Sequence, residues 1–293
     1  LISAGSGTPY SSEEGYIDNA VNVGGSTPST INLNWGLGMH ANTVFTVADV
    51  TGSPAADLTL TGAAQGGILQ DGSLIKEGPG TMTIASRASY TGGTVINNGI
   101  LEVYGSSGGQ CQIRGSVTVN PGAELRLTGP DGSGFGWAGS ASPSQRVDTL
   151  NIVDGLVNAG GVHLYYASVN MTGGQFSVTG QFGNVAVNTL ASATTAEIAG
   201  GIVIRGDSWN NLTPHLPFTV ADGAAGVDLL VSANVSENFG TGRITKLGAG
   251  TMALTGTNTY GGTTTVEAGT LLVNGTNSGT GAVTVNGGVL GGT

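Results

Sequence analysis

The chain has 293 residues, 54 of them glycine and only 9% charged, with a formal charge of −10. Eight Lys and Arg dispersed against eighteen Asp and Glu make no basic patch, which argues against nucleic acid and anionic membrane surfaces as partners. No apolar run approaches the roughly eighteen residues of a spanning helix, and a lone cysteine, Cys111, excludes a disulfide-stapled scaffold and reads as a small buried hydrophobe.

Hydrophobic residues still make up 39%, so the chain can bury a core and is not a Gly/Ser linker. Many β-branched residues, with abundant Thr, Asn, Ser and Gly, point to an all-β protein of short strands and tight turns. Neither an initiator Met nor a signal peptide opens it, as expected of a mature form or of a piece of something longer.

In chain order, the N-terminal stretch is Ser/Gly-rich and carries the acidic pair Glu13 and Glu14. "INLNWGLGMH" (31–40) and "FTVAD" (45–49) precede a long sentence, "LIKEGPGTMTIASRASYTGGTVINNGILEVYG", from Leu74 to Gly105. Then come "SVTVN", "ELRLT", the loop "GPDGSGFG" (129–136), "TLNIV", "HLYYASVN" (163–170) and "QFSVTG". Each strand run alternates with period two, and Gly, Asn-Gly or Asp-Gly punctuates them; no stretch shows helical periodicity. Beyond these, "IVIRGDSWNNLTPH" (202–215) echoes the segment at 31–40, and "FTVAD" recurs at 218–222. "ITKLGAGTMALTGTNTYGGTTTVEAGTLLVNG" (244–275) rewrites the long sentence, and "VTVN" returns at 283–286. A module of about 170 residues is therefore duplicated, with 45–129 echoed by 218–293. We expect residues 1–293 to form one continuous β-solenoid.

Short strands with one buried face suit a sandwich, a barrel or a parallel β-solenoid. Repetition at two scales, compact Gly/Asn turns and the scarcity of charge favour the solenoid. Stacked coils set like residues above like at about 4.8 Å, where like charges repel and Asn or Thr form ladders. About a dozen coils are expected. In "GILEVYG" the alternation predicts Leu101 and Val103 buried, with Met82 and Ile84, and Glu102 exposed; Leu271 and Val273 are the buried counterparts in the second copy.

The residues that recur are Lys76, Gly78, Gly80, Thr81, Tyr90, Gly92, Thr94, Gly99 and Leu101. The second copy has Lys246, Gly248, Gly250, Thr251, Asn258, Tyr260, Gly262, Thr264, Gly269 and Leu271. This pattern resembles the autotransporter-associated β-strand repeat, from which the first copy departs at Ser86 and Ala88. The resemblance implies a right-handed parallel β-helix and a passenger region at the bacterial surface with adhesive, aggregating or structural roles. Its partners would be glycans or proteins of a cell surface or matrix, or further copies stacked end to end. Lys-x-Gly-x-Gly-Thr reads as a tight turn using positive φ and Tyr-x-Gly as the next corner, so that one sentence specifies a coil and a half.

Chemistry is sparse. "GPGT" and "GAGT" lack the Gly-Lys-Ser/Thr of a phosphate loop, and the loop around Asp131 is a single, unrepeated match to a calcium nonapeptide. A polysaccharide hydrolase needs paired carboxylates; Asp148 and Asp154, six apart, are placed on neighbouring strand ends, most of the remaining acids are isolated at turns, and Glu124 and Asp207 are the further carboxylates to test. His40, His163 and His215 are far apart, and Trp35…His40 and Trp209…His215 read as packing at a recurrent bend. Of Tyr165 and Tyr166, alternation exposes one. The expected activity is non-enzymatic, without cofactor or metal; a filament subunit and a glycan-acting enzyme are the alternatives. The chain stops inside a module without a polar cap, so either further chain follows or ends stack.

Overall fold

A computed structural model of the chain describes residues 15–16, 20–32, 37–39, 42–61, 68–69, 71–85, 90–104, 113–128, 147–165, 167–206 and 214–293. The positions weighed above at Glu13, Glu14, Trp35, His40, Cys111, Asp131, Tyr166, Asp207 and Trp209, and the departures at Ser86 and Ala88, lie outside these residues.

The described residues are all-β. Most strands alternate between two parallel sheets, one of twelve strands and one of fifteen, and each coil adds one strand to each; the short strands Gly15–Tyr16, Leu37–Gly38 and Ile68–Leu69 form a third parallel sheet. Every strand pair is parallel, as it must be when each crossover returns the chain one layer further along the axis. Twelve strands of the second sheet follow the same path as the twelve of the first, so the stack has about a dozen layers and is roughly 60 Å long at about 4.8 Å per layer.

Alternation places the core. On the second sheet Met82, Leu101 and Leu125 stack above one another, as do Ile84, Val103 and Leu127. All six are buried, and filling such columns removes apolar surface from water at about 25 cal/mol per Å². On the outer face Asn188 donates to Asn170 and Asn170 to Asn151, both at 3.0 Å, so the amides form a ladder in register with the backbone.

Three details differ from the sequence reading. The sentence at 74–105 covers two coils, because Leu74–Glu77, Thr81–Ile84, Thr94–Ile96 and Gly99–Tyr104 visit the two sheets alternately. Glu102 points outward but is half-buried: its carboxylate accepts the Thr83 hydroxyl at 2.9 Å and the Thr128 hydroxyl at 3.0 Å, on the coils either side. Val273 is half-buried because it has Leu254 as a partner on one side, while pairing on the other ends at Leu272 with Gly291.

The middle coils carry a third face. Strands Leu156–Tyr165, Gln175–Gly183 and Ala196–Arg205 are unusually long, and their second halves turn away after Gly160, Gly180 and Gly200. Asn234–Asn238, Thr257–Asn258 and Thr276–Asn277 continue that face.

Candidate functional site

The duplicated sentence builds a corner between the two sheets. Lys76 follows Leu74 by two residues, so alternation points it inward, and it sits in a core column between Phe45 and Ile96. Lys246 sits likewise between Phe218 and Val266. Both lysines are fully buried. Their stems fill the column and their Nζ atoms reach the corner, where backbone carbonyls converge.

Lys76 Nζ donates to the carbonyls of Glu77 (2.9 Å), Gly78 (2.7 Å) and Asn98 (3.1 Å). The first two belong to its own corner and the third to the next coil, so the side chain fastens layer to layer. An ammonium has three donors, and all are used. Burial pulls Lys76 down to about 8, partly opposed by the charges of Glu77 and Asp57. Lys246 is likewise held at about 8 by burial, with Asp228 opposing.

A buried aspartate ties the corner from the other side. Asp57 Oδ1 accepts the N–H groups of Val50 and Thr51, both at 2.9 Å, and Oδ2 accepts that of Thr81 at 2.7 Å on the next coil. Burial pushes its carboxyl up, but the Thr81, Thr51 and Val50 donors outweigh this and hold it below the ordinary carboxylate range. In the second copy Asp228 accepts Gly223 N–H and Thr251 N–H, each at 2.8 Å. Sequence reasoning missed both aspartates. The available signal was the shared "DL" opening "DLTL" and "DLLV" (57–60 and 228–231).

The remaining repeat residues complete this frame. Gly78 and Gly248 have φ of 78° and 79°, and Gly99 and Gly269 have 67° and 69°, a region that only glycine enters at little cost. Gly80 and Gly250 lie so close to the carbonyls of Ala48 and Ala221 that a Cβ would collide, and Gly92 and Gly262 are similarly closed in by Gly72 and Gly242. Tyr90 and Tyr260 are buried, with hydroxyls 2.6 Å from Thr94 Oγ1 and 2.7 Å from Thr264 Oγ1. Burial raises the Tyr260 phenol, against the Thr264 bond. Asn258 is buried beside Gly256, and Thr81, Thr251, Leu101 and Leu271 occupy the strands that leave the corners. The lysines and aspartates spend their hydrogen bonds on the backbone, and the tyrosines theirs on the threonines four residues on; the corner is a joint between layers.

The acidic residues are distributed otherwise than the sequence suggested. Asp148 lies at the start of strand Val147–Val153 and Asp154 just beyond its end, so the two are about 20 Å apart along one strand. That is too far for a hydrolytic pair. Glu124, Asp154 and Glu197 instead share an outer groove of about 500 Å³, floored by Gly99, Gly122, Gly155 and Gly174. All three are engaged. Glu124 holds Arg126 at 2.9 and 3.0 Å, Asp154 accepts Thr194 Oγ1 at 2.6 Å, and Glu197 accepts Gln175 at 2.9 Å and Ser232 at 2.7 Å. Leu156 and Gln175 stand between Glu124 and Glu197 in register, which separates those two by about 14 Å.

The described histidines do not converge. His163 meets the Tyr165 ring edge-on at 5.9 Å on the third face. His215 begins a strand of the first sheet, bonds Thr245 Oγ1 at 2.9 Å, and is held low by burial and by Arg243. Among the described residues no three His, Cys, Asp or Glu are grouped to hold a metal, and no helix is long and apolar enough to cross a membrane.

Residues 74–103 and 244–273 both match the passenger-associated-transport-repeat, so the two corners are copies of that repeat. The chain is also similar to the adhesin BmaC autotransporter of Brucella suis biovar 1 (strain 1330), 29% identical over 331 aligned positions. The match takes in 88% of this chain and 9% of that protein. No solved structure matches the chain.

Proposed function

We propose that the chain is a stretch of a non-catalytic, surface-exposed adhesive passenger, whose solenoid presents contacts for glycans or proteins of a cell surface or matrix. The observation that carries this is the passenger-associated repeat, present twice among described strands that stack in one parallel order from the first copy to the second. The similarity to an autotransporter adhesin supports the same reading. The polar corner groups are spent on joining layers, and the groove carboxylates on neighbouring side chains, which suits a rod that binds better than a site that turns over. Contacts repeated along a rod gain avidity without any one of them being strong.

The test is adhesion of beads coated with the full chain to cultured cells, against beads coated with albumin. Saturable attachment that soluble chain competes away is expected. Attachment no greater than that of albumin would remove the adhesive reading.

A further inference from the structure

One aromatic side chain of the third face is offered to solvent. Phe239 is 63% exposed, the most exposed of the large hydrophobic side chains described. Its φ is 54°, a region that a bulky residue adopts only where its surroundings impose it. Here they do. The Asn238 side chain accepts the Phe239 N–H at 2.9 Å. The Phe239 carbonyl lies against Gly206, where a Cβ would collide with it, and Pro214 crowds Gly206 and Gly240.

Below the ring is a stack. The Arg205 guanidinium carbon lies 4.6 Å from the Phe239 centroid and 5.8 Å from that of Tyr165. Arg205 is two coils on from Tyr165, and on the strand between them Tyr165 is paired with Gly183, which has no side chain to stand between the two. Gln181 ties the stack together: its Oε1 accepts from Arg205 Nη1 and from the Tyr165 hydroxyl. Tyr165 is therefore buried although alternation turns it outward, and the aromatic ring offered to solvent is Phe239. With Arg205 against the ring, Phe239 is still 63% exposed.

We propose that Phe239 is the platform of a saccharide-binding site, taking one pyranose of a cell-surface or matrix glycan against its exposed ring. The surroundings select this chemistry. A protein interface centres on an apolar patch with several buried anchors, whereas the chain around Phe239, Ser236-Glu237-Asn238 before it and Gly240-Thr241 after it, adds no second large apolar side chain. A nucleobase would bring phosphates to a chain of charge −10. A pyranose has an apolar face for the ring and hydroxyls at its rim for the amide nitrogen of Asn238, whose oxygen already holds the Phe239 N–H. The source of the sugar, though not the site, rests on the adhesive reading above.

The experiment uses an array of neutral and acidic oligosaccharides probed with the full chain, followed by saturation-transfer NMR on the best-bound sugar. Binding is expected, with the strongest transfer from the ring axial protons. Phe239→Ala should weaken it about tenfold or more and Phe239→Trp should preserve it. Arg205→Lys, which keeps the charge and loses the flat support, should weaken it less than Phe239→Ala. Unchanged circular dichroism shows that each variant is folded. Equal sugar binding by parent and Phe239→Ala overturns the site. So does a blank array when coated beads still adhere to cells, a result that leaves the adhesive reading intact; a blank array together with loss of adhesion removes both.

Discussion

Lys246 repeats the bonds of Lys76 carbonyl for carbonyl. Its Nζ donates to Leu247, Gly248 and Ala268 at 2.9, 2.8 and 3.1 Å, against Glu77, Gly78 and Asn98 at 2.9, 2.7 and 3.1 Å for Lys76. The two corners are seven strands apart in a sheet of twelve, yet each lysine crosses to the next layer in the same way. Lys246→Met keeps the core stem and strips three carbonyls of their donor, so the urea midpoint should fall by the equivalent of roughly 2–4 kcal/mol. Lys246→Arg should not rescue it, because the planar guanidinium does not fit a corner built around an ammonium. A midpoint within error of the parent for Lys246→Met would mean that the joint is not made by this side chain.

The same lysine sets a pH dependence. It titrates at about 8 when folded against 10.5 unfolded, so between those values the unfolded chain binds the extra proton and stability rises with pH. The contribution is at most about 3 kcal/mol for one lysine. The stability gap between the parent and Lys246→Met should therefore widen in favour of the parent from pH 8 to pH 10.5. A gap that narrows over that range would show the opposite linkage.

Leu101 and Glu102 are adjacent and face opposite ways. Leu101→Ala opens a cavity in a filled column and should cost about 2–5 kcal/mol. Glu102→Ala removes a carboxylate shared by Thr83 and Thr128, but the group is partly solvated, so about 1 kcal/mol is expected. Glu102→Gln should lose less than that. Denaturation midpoints for the three variants give the order directly, and equal losses for Leu101→Ala and Glu102→Ala would put the strand in the wrong phase.

Gly80→Ala drives a methyl into the Ala48 carbonyl, whereas a methyl at Gly160 meets no atom within 4 Å. Melting temperatures should drop sharply for the first substitution and change little for the second.

The core was legible because alternation with period two needs only the order of residues; Leu101, Val103, Met82 and Ile84 followed from it. The role of Lys76 did not follow, although "LIKE" places it in phase with Leu74, since a charged residue in a core column is against the ordinary rule. Only the fold brings the carbonyl of Asn98, twenty-two residues on, to its ammonium. Asp57 escaped for a different reason: the register shifts between Ala56 and Leu58, and a bulge is invisible to alternation. Tyr165 is buried because Gly183 and Arg205 belong to other coils, and sequence gives the side a residue faces but not what crosses over it.

The solenoid is proposed to bind without cleaving. The direct measurement is release of reducing ends from a panel of polysaccharides, made alongside bead adhesion, for the parent and for Glu124→Gln, Asp154→Asn and Glu197→Gln. Catalysis concentrates in a few groups, so losing one costs orders of magnitude, whereas distributed contacts lose little each. No release above blank by any of the four proteins, with adhesion of each variant within about twofold of the parent, is the predicted result. Release by the parent that one folded carboxyl variant abolishes would contradict it.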